Sequence, residues 1–427
     1  MWTTLNKYLA LKGMPTVEAG YILNLPGVRQ CADSISDMQR EKSMNSMEDL
    51  QAHIDTGIKH AQMDRACRML WNLQLPNSSG NGLTTALLQH NTLVELRQTY
   101  TTQQRFNDLE REMFAHNFTR FREDIGPRGQ TILCQVSDGG KTNKNNNLHY
   151  TGILPHRNPL WCAVFARGAL HLHRFIKEEL PNWKEVETMF HRPTLRGTGA
   201  VDKSMPARSM RECVNRLYDA IGIHAPKVTH MGRRQGQQEL ADAGILIDDI
   251  KRWCKYIYDE QALSYFLHVA AGPMLQRCGY DPKAPRAMQA PHLSVDVSSL
   301  VQLICPELIR LEDEVSVAFA ACKSFKDAKA QCLYMADGLY RALRFEFETF
   351  IQCSAARPRH HTTGSVLMNE RPLFAQFQEH NSLFHHKFFA TAEFKKVVHA
   401  IGAAETAEMS QSHITRNPSL NTPQAIQ

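Results

Sequence analysis

The sequence feature that most restricts the fold is one pair of short β-like runs in a chain otherwise periodic at helical spacing. Thr131 to Val136 and Leu148 to Leu154 show the alternation of strands, and a polar, turn-rich stretch at 137–147 separates them. Elsewhere, apolar residues recur at steps of three and four, as on one face of a helix. Gly222 and Gly244 are predicted to end two of these helices, and Phe374 to Ile401 is predicted to form one last helical segment. The pattern predicts a mainly α fold with a small β-hairpin or sheet.

Breaks in composition divide the chain into five segments. A proline-containing linker at 285–291 separates a mixed region from a purely helical one, and the chain ends in a stretch rich in Ser, Thr, Asn and Gln. The predicted segments are a poorly ordered leader at 1–20, an N-terminal helical arm at 21–115, a mixed domain at 116–285, a C-terminal helical region at 286–407 and a disordered tail at 408–427.

The composition is typical of a soluble globular protein with reduced cysteines. The 427 residues are 43% hydrophobic and 22% charged, as in soluble globular proteins, and no apolar run reaches the ~18 residues of a membrane span. The N-terminus lacks the pattern of a signal peptide. The 11 cysteines form no Cys-x-x-Cys pair, which favours reduced thiols in the cytosol or nucleus and argues against structural zinc. We expect no metal site, no cofactor and no membrane contact.

Positive charge is concentrated in one part of the chain. Residues 141–234 hold 16 Lys and Arg against 7 Asp and Glu, a net charge of +9, so the remainder must sum to −3 to give the total of +6. A basic block of this size suits a phosphate backbone. The alternative is a solvated basic surface without a partner.

The stretch 228–267 contains a pattern of residues suited to attack on a DNA phosphodiester. His230 and Arg233 form a His-x-x-Arg pair, Tyr256 follows 23 residues later and Tyr265 another 9 residues on. A tyrosine hydroxyl is a weak nucleophile that needs help from groups around the phosphate. Arginine offers donors matched to two phosphate oxygens, while a histidine one turn away can bond the phosphate or accept a proton.

The His-x-x-Arg pair is a weak signal by itself. It occurs three times, at His171/Arg174, His230/Arg233 and His413/Arg416. Only the middle copy is followed at the right spacing by side chains of the needed type. The alternative interpretation makes His230 a helix cap, Arg233 a solvated residue and Tyr265 a core tyrosine.

From about Asp138 to Ala270, the chain resembles the tyrosine-recombinase-like DNA-binding core of the large fungal centromere-binding subunit. Crypton-type transposon recombinases share this core. The resemblance rests on the motifs DGGKTNKNNN, HRNPLWC, RGALHLHRF and KVTHMGRR, which occur in the same order and at similar spacing over more than one hundred residues.

The resemblance implies a DNA breaking-rejoining core of transposon origin, with the helical arm clamping DNA from the opposite face. Tyr265 would form a 3′-phosphotyrosine, Arg233 would hold the phosphate, and His230 and Tyr256 would assist. A lysine at the hairpin tip, Lys141 or Lys144, would act as general acid. Five further basic residues would contact the DNA backbone: Arg157, Lys227, Arg234, Lys251 and Arg252.

The chain departs from the family pattern at two catalytic positions. The second phosphate-binding arginine normally lies in a Leu-Arg-Gly-Glu-like turn, whereas here Arg97 lies in Glu-Leu-Arg-Gln, and Arg105 competes with it. The usual His or Trp is replaced by Tyr256, with Trp253 as an off-register alternative. Loss of one phosphate donor costs on the order of 100- to 1000-fold in rate. The departures favour DNA binding without cleavage.

The sequence is compatible with three functions. The first is a nuclear, sequence-tolerant protein that binds double-stranded DNA, with reduced or no strand cleavage, and with C-terminal helices that are candidates for forming a homodimer or higher oligomer. The second is an active Crypton-like tyrosine recombinase, a DNA strand transferase. The third is a helical scaffold with no nucleic-acid role.

Overall fold

The computed structural model describes most of the chain beyond residue 60. The described residues are 60–72, 82–98, 120–122, 131–137, 149–176, 178–185, 205–223, 236–254, 271–283, 290–356, 370–380 and 388–416. All of them belong to one compact unit, Ile58–Gln427. The predicted leader, the start of the arm and residues 417–427 lie outside the described residues.

The described part of the chain is mainly helical with one small sheet, as predicted. The helices are α1 (His60–Trp71), α2 (Gly82–Gln98), α3 (Ala163–Phe175), α4 (Ala207–Ala220), α5 (Ile247–Trp253), α6 (Ala271–Arg277), α7 (Ser298–Ile304), α8 (Pro306–Ala321), α9 (Phe325–Ala330), α10 (Leu333–Ala355), α11 (Pro372–His380) and α12 (Ala392–Arg416). The strands are β1 (Arg120–Arg122), β2 (Ile132–Ser137) and β3 (His149–Ile153). A further segment, 236–242, is helical.

The sheet is antiparallel in the order β1-β2-β3. The predicted hairpin is confirmed: β2 pairs with β3 from Leu133 opposite Ile153 to Ser137 opposite His149. Strand β1 was not predicted, because a three-residue run of Arg-Phe-Arg is too short to show a period. It pairs with β2 and also contacts α10, so it joins the sheet to the helical core.

Helices α3 and α10 cross at the centre of the main hydrophobic core. Residues 163–173 of α3 are buried, and α3 also packs on α2. The crossing is close because Gly168 has no side chain: a Cβ there would lie 2.4 Å from the carbonyl oxygen of Glu346. Only glycine fits this approach between two helix backbones.

One aromatic cluster joins segments that the sequence pattern assigned to different domains. The ring of Trp71 in α1 stacks at 5.2 Å on Phe165 in α3 and at 5.0 Å on Phe374 in α11. Phe165 in turn stacks at 5.8 Å on Phe350 in α10. The described residues of the predicted arm, mixed domain and C-terminal region therefore contribute to one hydrophobic cluster.

A smaller hydrophobic cluster lies beside this main core. It is formed by α5, α6 and the helical segment 236–242 against the sheet, with Trp253, Leu240, Met274 and Ile132 among its buried members. The basic residues predicted for DNA contact on α5 are carried on the outside of this cluster.

The end of the chain differs from its prediction in two ways. Phe374 to Ile401 was expected to be one helix, but α11 and α12 are separate, and the Thr391 hydroxyl oxygen accepts a 3.1 Å hydrogen bond from the Phe394 N–H at the start of α12. The helix then continues to Arg416, into the segment predicted as a disordered tail from 408. The alanines and glutamates at 403–408 are good helix formers, and they outweigh the polar residues that follow.

Two kinds of feature are absent from the residues that the structure describes. None of their helices is both long and apolar enough to cross a membrane. Nor do three His, Cys, Asp or Glu side chains come together there in a way that could hold a metal ion.

Candidate nucleic-acid interface

Strands β2 and β3 flank, in the sequence, the segment that holds the predicted general acids. Leu133 and Ile153, paired at the base of the hairpin, are buried in the main core, and the described pairing ends at Ser137 and His149. The tip at 138–148, with Lys141 and Lys144, lies outside the described residues. The base of the hairpin is thus firmly anchored, and the position of the lysines stays a prediction.

The turn after β3 is fixed by its own side chains. Asn158 Oδ1 accepts a 3.2 Å hydrogen bond from the Leu160 N–H, and the Asn158 N–H donates to His156 Nδ1 at 2.8 Å. Cys162 Sγ accepts from the N–H groups of His156 at 3.3 Å and Phe165 at 3.4 Å, which caps α3. Because these backbone donors are satisfied locally, the turn is a rigid support for Arg157.

The same turn is held against the end of α6. The Arg157 N–H donates to the Cys278 carbonyl at 3.0 Å, and the Tyr280 hydroxyl donates to the Pro155 carbonyl at 3.0 Å. Burial raises the pKa of Tyr280 far above its usual value, so this hydroxyl stays a neutral donor. Between them, Gly279 adopts a φ of +78°, a conformation that favours glycine.

Arg157 already has two contacts in this structure. Its Cζ lies 5.8 Å from the centroid of the Tyr280 ring, and its Nη2 donates to Glu408 Oε1 of α12. The Arg157 side chain is 25% exposed and that of Glu408 is 15% exposed. A predicted DNA-binding arginine is therefore paired with an acidic residue of the last helix.

Lys251 and Arg252 lie on the outer face of α5. Their side chains are 51% and 41% exposed, and they form ion pairs with Asp248 at 3.5 Å and Asp249 at 3.1 Å. Exposed pairs of this kind contribute about 0–1 kcal/mol, so both basic groups can exchange their partner for a phosphate. The inner face holds Trp253, which is 5% exposed within the smaller cluster. Trp253 is therefore unsuited to be the alternative phosphate donor.

The helical segment 236–242 follows the predicted phosphate-binding residues His230 and Arg233. Glu239 in this segment forms an ion pair with the buried Arg277 of α6. The segment ends at Gly244, with a φ of +74°, as the sequence predicts. The pair fixes the segment to the smaller cluster.

Most of the predicted catalytic residues, and two of the predicted DNA contacts, lie outside the described residues. The catalytic candidates there are Arg105, Lys141, Lys144, His230, Arg233, Tyr256 and Tyr265, and the DNA contacts there are Lys227 and Arg234. Arg97 lies in α2, where only its backbone is described. The meeting of His230, Arg233 and Tyr265 in one site, and the choice between Arg97 and Arg105, stay predictions.

Helix α4 presents basic residues that the sequence interpretation did not single out. Arg208, Arg211 and Arg216 are exposed, while Val214 and Leu217 are buried in the main core. The helix itself and its end at Gly222, which has a φ of +73°, were predicted. The signal for the basic face was the placing of the arginines opposite the apolar positions of this helix.

One comparison with known proteins found a match. The family described as "Centromere DNA-binding protein complex CBF3 subunit, domain 2" matches residues 63–395, more than three quarters of the chain. The match includes α4, α5 and Arg157. A search of curated proteins found no match.

Proposed function

This chain belongs to the family of centromere DNA-binding protein complex CBF3 subunits, through their domain 2, and we propose that it binds double-stranded DNA in the nucleus as part of such a complex. The observation that carries the proposal is the family match over residues 63–395, which contain Arg157 and the basic residues of α4 and α5.

The charges of the described residues support a duplex backbone as the partner. Arg208 and Arg211 on α4 and Lys251 and Arg252 on α5 are exposed, and each helix is anchored by buried apolar residues on its other face. Rigid helices that present arginines can hold phosphates without large ordering costs. Phosphate contacts position a protein on DNA but do not read its sequence. We expect binding that tolerates many sequences.

We further propose that the fold is a tyrosine-recombinase-like core that binds DNA with little or no cleavage. The order of motifs from 138 to 270 supports the core. The reduced activity is supported by the sequence context of Arg97, which lacks the glycine and acid of the family turn, and by Tyr256 in place of His or Trp. A single missing phosphate donor would already slow cleavage by on the order of 100-fold.

An active recombinase is the second candidate function. It is favoured by one observation, the spacing of Arg233, Tyr256 and Tyr265, which only the middle His-x-x-Arg copy shows. In that case Tyr265 would attack the phosphodiester and Lys141 or Lys144 would protonate the leaving 5′-hydroxyl. Self-association through the C-terminal helices fits either candidate.

Duplex binding by the full chain tests the proposal. Fluorescence anisotropy with two unrelated duplexes of equal length, titrated at several salt concentrations, should give similar affinities for both. The logarithm of the binding constant should fall linearly with the logarithm of salt concentration, with a slope of about −0.9 for each phosphate contacted. Absence of duplex binding even at low salt would leave a helical scaffold as the better description.

A further inference from the structure

We propose that the C-terminal part of α12, residues 402–416, is an autoinhibitory element in which Glu408 occupies the phosphate-binding position of Arg157. The inference rests on the proposed function, because it requires Arg157 to contact DNA. Binding of a duplex would displace Glu408 and release this part of the helix.

Arg157 is already positioned to bind an anion, and in this structure the anion is the side chain of Glu408. Its backbone is fixed by the hydrogen bond to Cys278, and its guanidinium lies over the ring of Tyr280. Its Nη2 donates to Glu408, which is 251 residues away in the sequence. A side chain held this rigidly serves an incoming anion as well as the one now present.

Carboxylate and phosphate compete directly for the same guanidinium donors. Both accept charge-assisted hydrogen bonds from the arginine fork, and one Nη atom cannot serve both in full. Since both side chains are mostly buried, a phosphate cannot reach Arg157 beside Glu408. The end of α12 must therefore move away before Arg157 can contact a phosphate.

The charge of α12 near Glu408 also opposes DNA. Residues 402–416 contain Glu405 and Glu408 and one basic residue, Arg416, so their net charge is −1 with His413 neutral. A duplex that approached Arg157 would bring its phosphates close to this acidic stretch. Displacing this stretch removes both the repulsion between its carboxylates and the phosphates and the competition of Glu408 for Arg157.

Release of this part of α12 requires little loss of apolar burial. Ile401 is the last buried residue of the helix among those whose side chains are described, and 402–408 are exposed or half-buried. Gly402 follows Ile401 directly, and glycine weakens a helix by about 1 kcal/mol relative to alanine. The helix can thus open at Gly402 while Phe394 and Ile401 stay in the core.

The test compares duplex affinity for two variants of the full chain that remove one negative charge each. Glu408→Gln removes the competitor, whereas Glu393→Gln removes an exposed charge at the other end of the same helix. We expect Glu408→Gln to bind duplex about fivefold more tightly than Glu393→Gln, the upper range for release of a partly exposed ion pair. The dependence of the binding constant on salt concentration should be the same for the two variants, because Arg157 contacts a phosphate in both complexes. Equal affinity of the two variants would overturn the proposal.

Arg157→Ala shows whether the gain passes through Arg157. The gain of Glu408→Gln should disappear in the double variant with Arg157→Ala. A gain that persists without Arg157 would mean a general charge effect and would contradict the inference. If the wild type binds duplex and only this comparison fails, the proposed function survives; if no variant binds, both fail.

Hydrogen exchange supplies a second measurement that does not depend on a variant's folding. In the wild-type protein, saturation with duplex should increase the exchange of amides in 402–416 and leave those of 392–401 unchanged. Unchanged or slower exchange in 402–416 would show that this part of the helix is not displaced when DNA binds, and would contradict the proposal.

Discussion

His171 Nδ1 lies 2.5 Å from Glu346 Oε2 at the crossing of α3 and α10, and the two side chains are 0% and 1% exposed. Burial lowers the pKa of His171, and the neighbouring Glu346 carboxylate partly offsets this effect. Gly168, one turn earlier, packs against the Glu346 backbone. The two contacts fix α3, and therefore the Arg157 turn at its N-terminal end, against α10.

We expect replacement of either partner of this pair to destabilise the protein strongly. Removing one member of a buried, hydrogen-bonded pair costs about 3–5 kcal/mol, because the other is left without its partner. Glu346→Ala and His171→Ala should each lower the urea midpoint. The double variant should lose clearly less than the sum of the two, as coupled neighbours do. Additive losses would show that the pair is not a stabilising unit.

Gly168→Ala should also destabilise the protein, by about 1–3 kcal/mol, because the new methyl group would overlap the Glu346 carbonyl. The matched control is Gly402→Ala, where a Cβ meets nothing within 4 Å. At that helical position, alanine should stabilise by up to about 1 kcal/mol. Thermal unfolding of the two variants should therefore shift in opposite directions, and a neutral Gly168→Ala would contradict the close crossing.

Acid should weaken the fold through His90. Its Nε2–H donates to the Leu160 carbonyl at 2.8 Å, and burial lowers the pKa of His90 to about 4 despite this bond. Because the unfolded chain then binds the proton more readily, the stability that neutral His90 contributes is lost as pH falls from about 6.5 towards 4. The expected loss between pH 7 and pH 5 is about 2 kcal/mol.

Urea unfolding at several pH values measures this loss. Glutamine at position 90 keeps a donor for the Leu160 carbonyl but does not titrate, so His90→Gln should show a flatter pH dependence between pH 7 and pH 5. An unchanged slope would assign the acid sensitivity to other groups, among them His171, whose pKa burial also lowers.

The arginines of α4 should contribute to duplex affinity in a sequence-independent way. The double variant Arg208→Ala with Arg211→Ala should weaken binding on the order of tenfold at about 0.1 M salt, and equally for unrelated duplexes. The slope of the logarithm of the binding constant against the logarithm of salt concentration should become shallower by the contribution of about two phosphate contacts. Lys395→Ala with Lys396→Ala, which removes the same charge from the exposed face of α12, is the control. If both double variants lost the same duplex affinity, α4 would contribute only through the net charge of the protein.

Nicked suicide duplexes decide whether the chain cuts DNA. We expect the wild type to form no covalent adduct that survives denaturation, because the second phosphate-binding arginine lacks its family context. Tyr265→Phe is the matched variant. An adduct in the wild type that is lost in Tyr265→Phe would establish the recombinase activity and overturn the proposal of binding without cleavage.

The sequence predicted those elements whose signals are local. The alternation around 131–154 predicted the hairpin, and Gly222 and Gly244 predicted two helix ends, because these depend on neighbouring residues alone. Strand β1 is too short for a period and depends on pairing with β2. Residues 408–416 were predicted as a tail because their composition is polar, and the contact of Glu408 with Arg157 joins positions far apart in the sequence.

For the candidate site, the sequence allowed a prediction of residue types, whereas the contacts between distant segments could not be predicted. Charge patterning identified the basic block, and exposed arginines opposite the apolar face of α4 follow from helical periodicity. The pairing of Arg157 with Glu408, the burial of Trp253 and the pair of Glu239 with Arg277 depend on the packing of distant helices. No pattern within a single segment carries that information.

The stacking of Trp71 on Phe374 has a consequence for folding during synthesis, because the two rings are far apart in the sequence. Phe374 follows Trp71 by 303 residues, so the ring that will cover Trp71 is translated long after α1 leaves the exit tunnel. The nascent chain must therefore carry an uncovered apolar surface for most of its synthesis, which exposes it to aggregation and makes it a client for chaperones. Premature termination ahead of α11 would release a product that cannot complete its own interior.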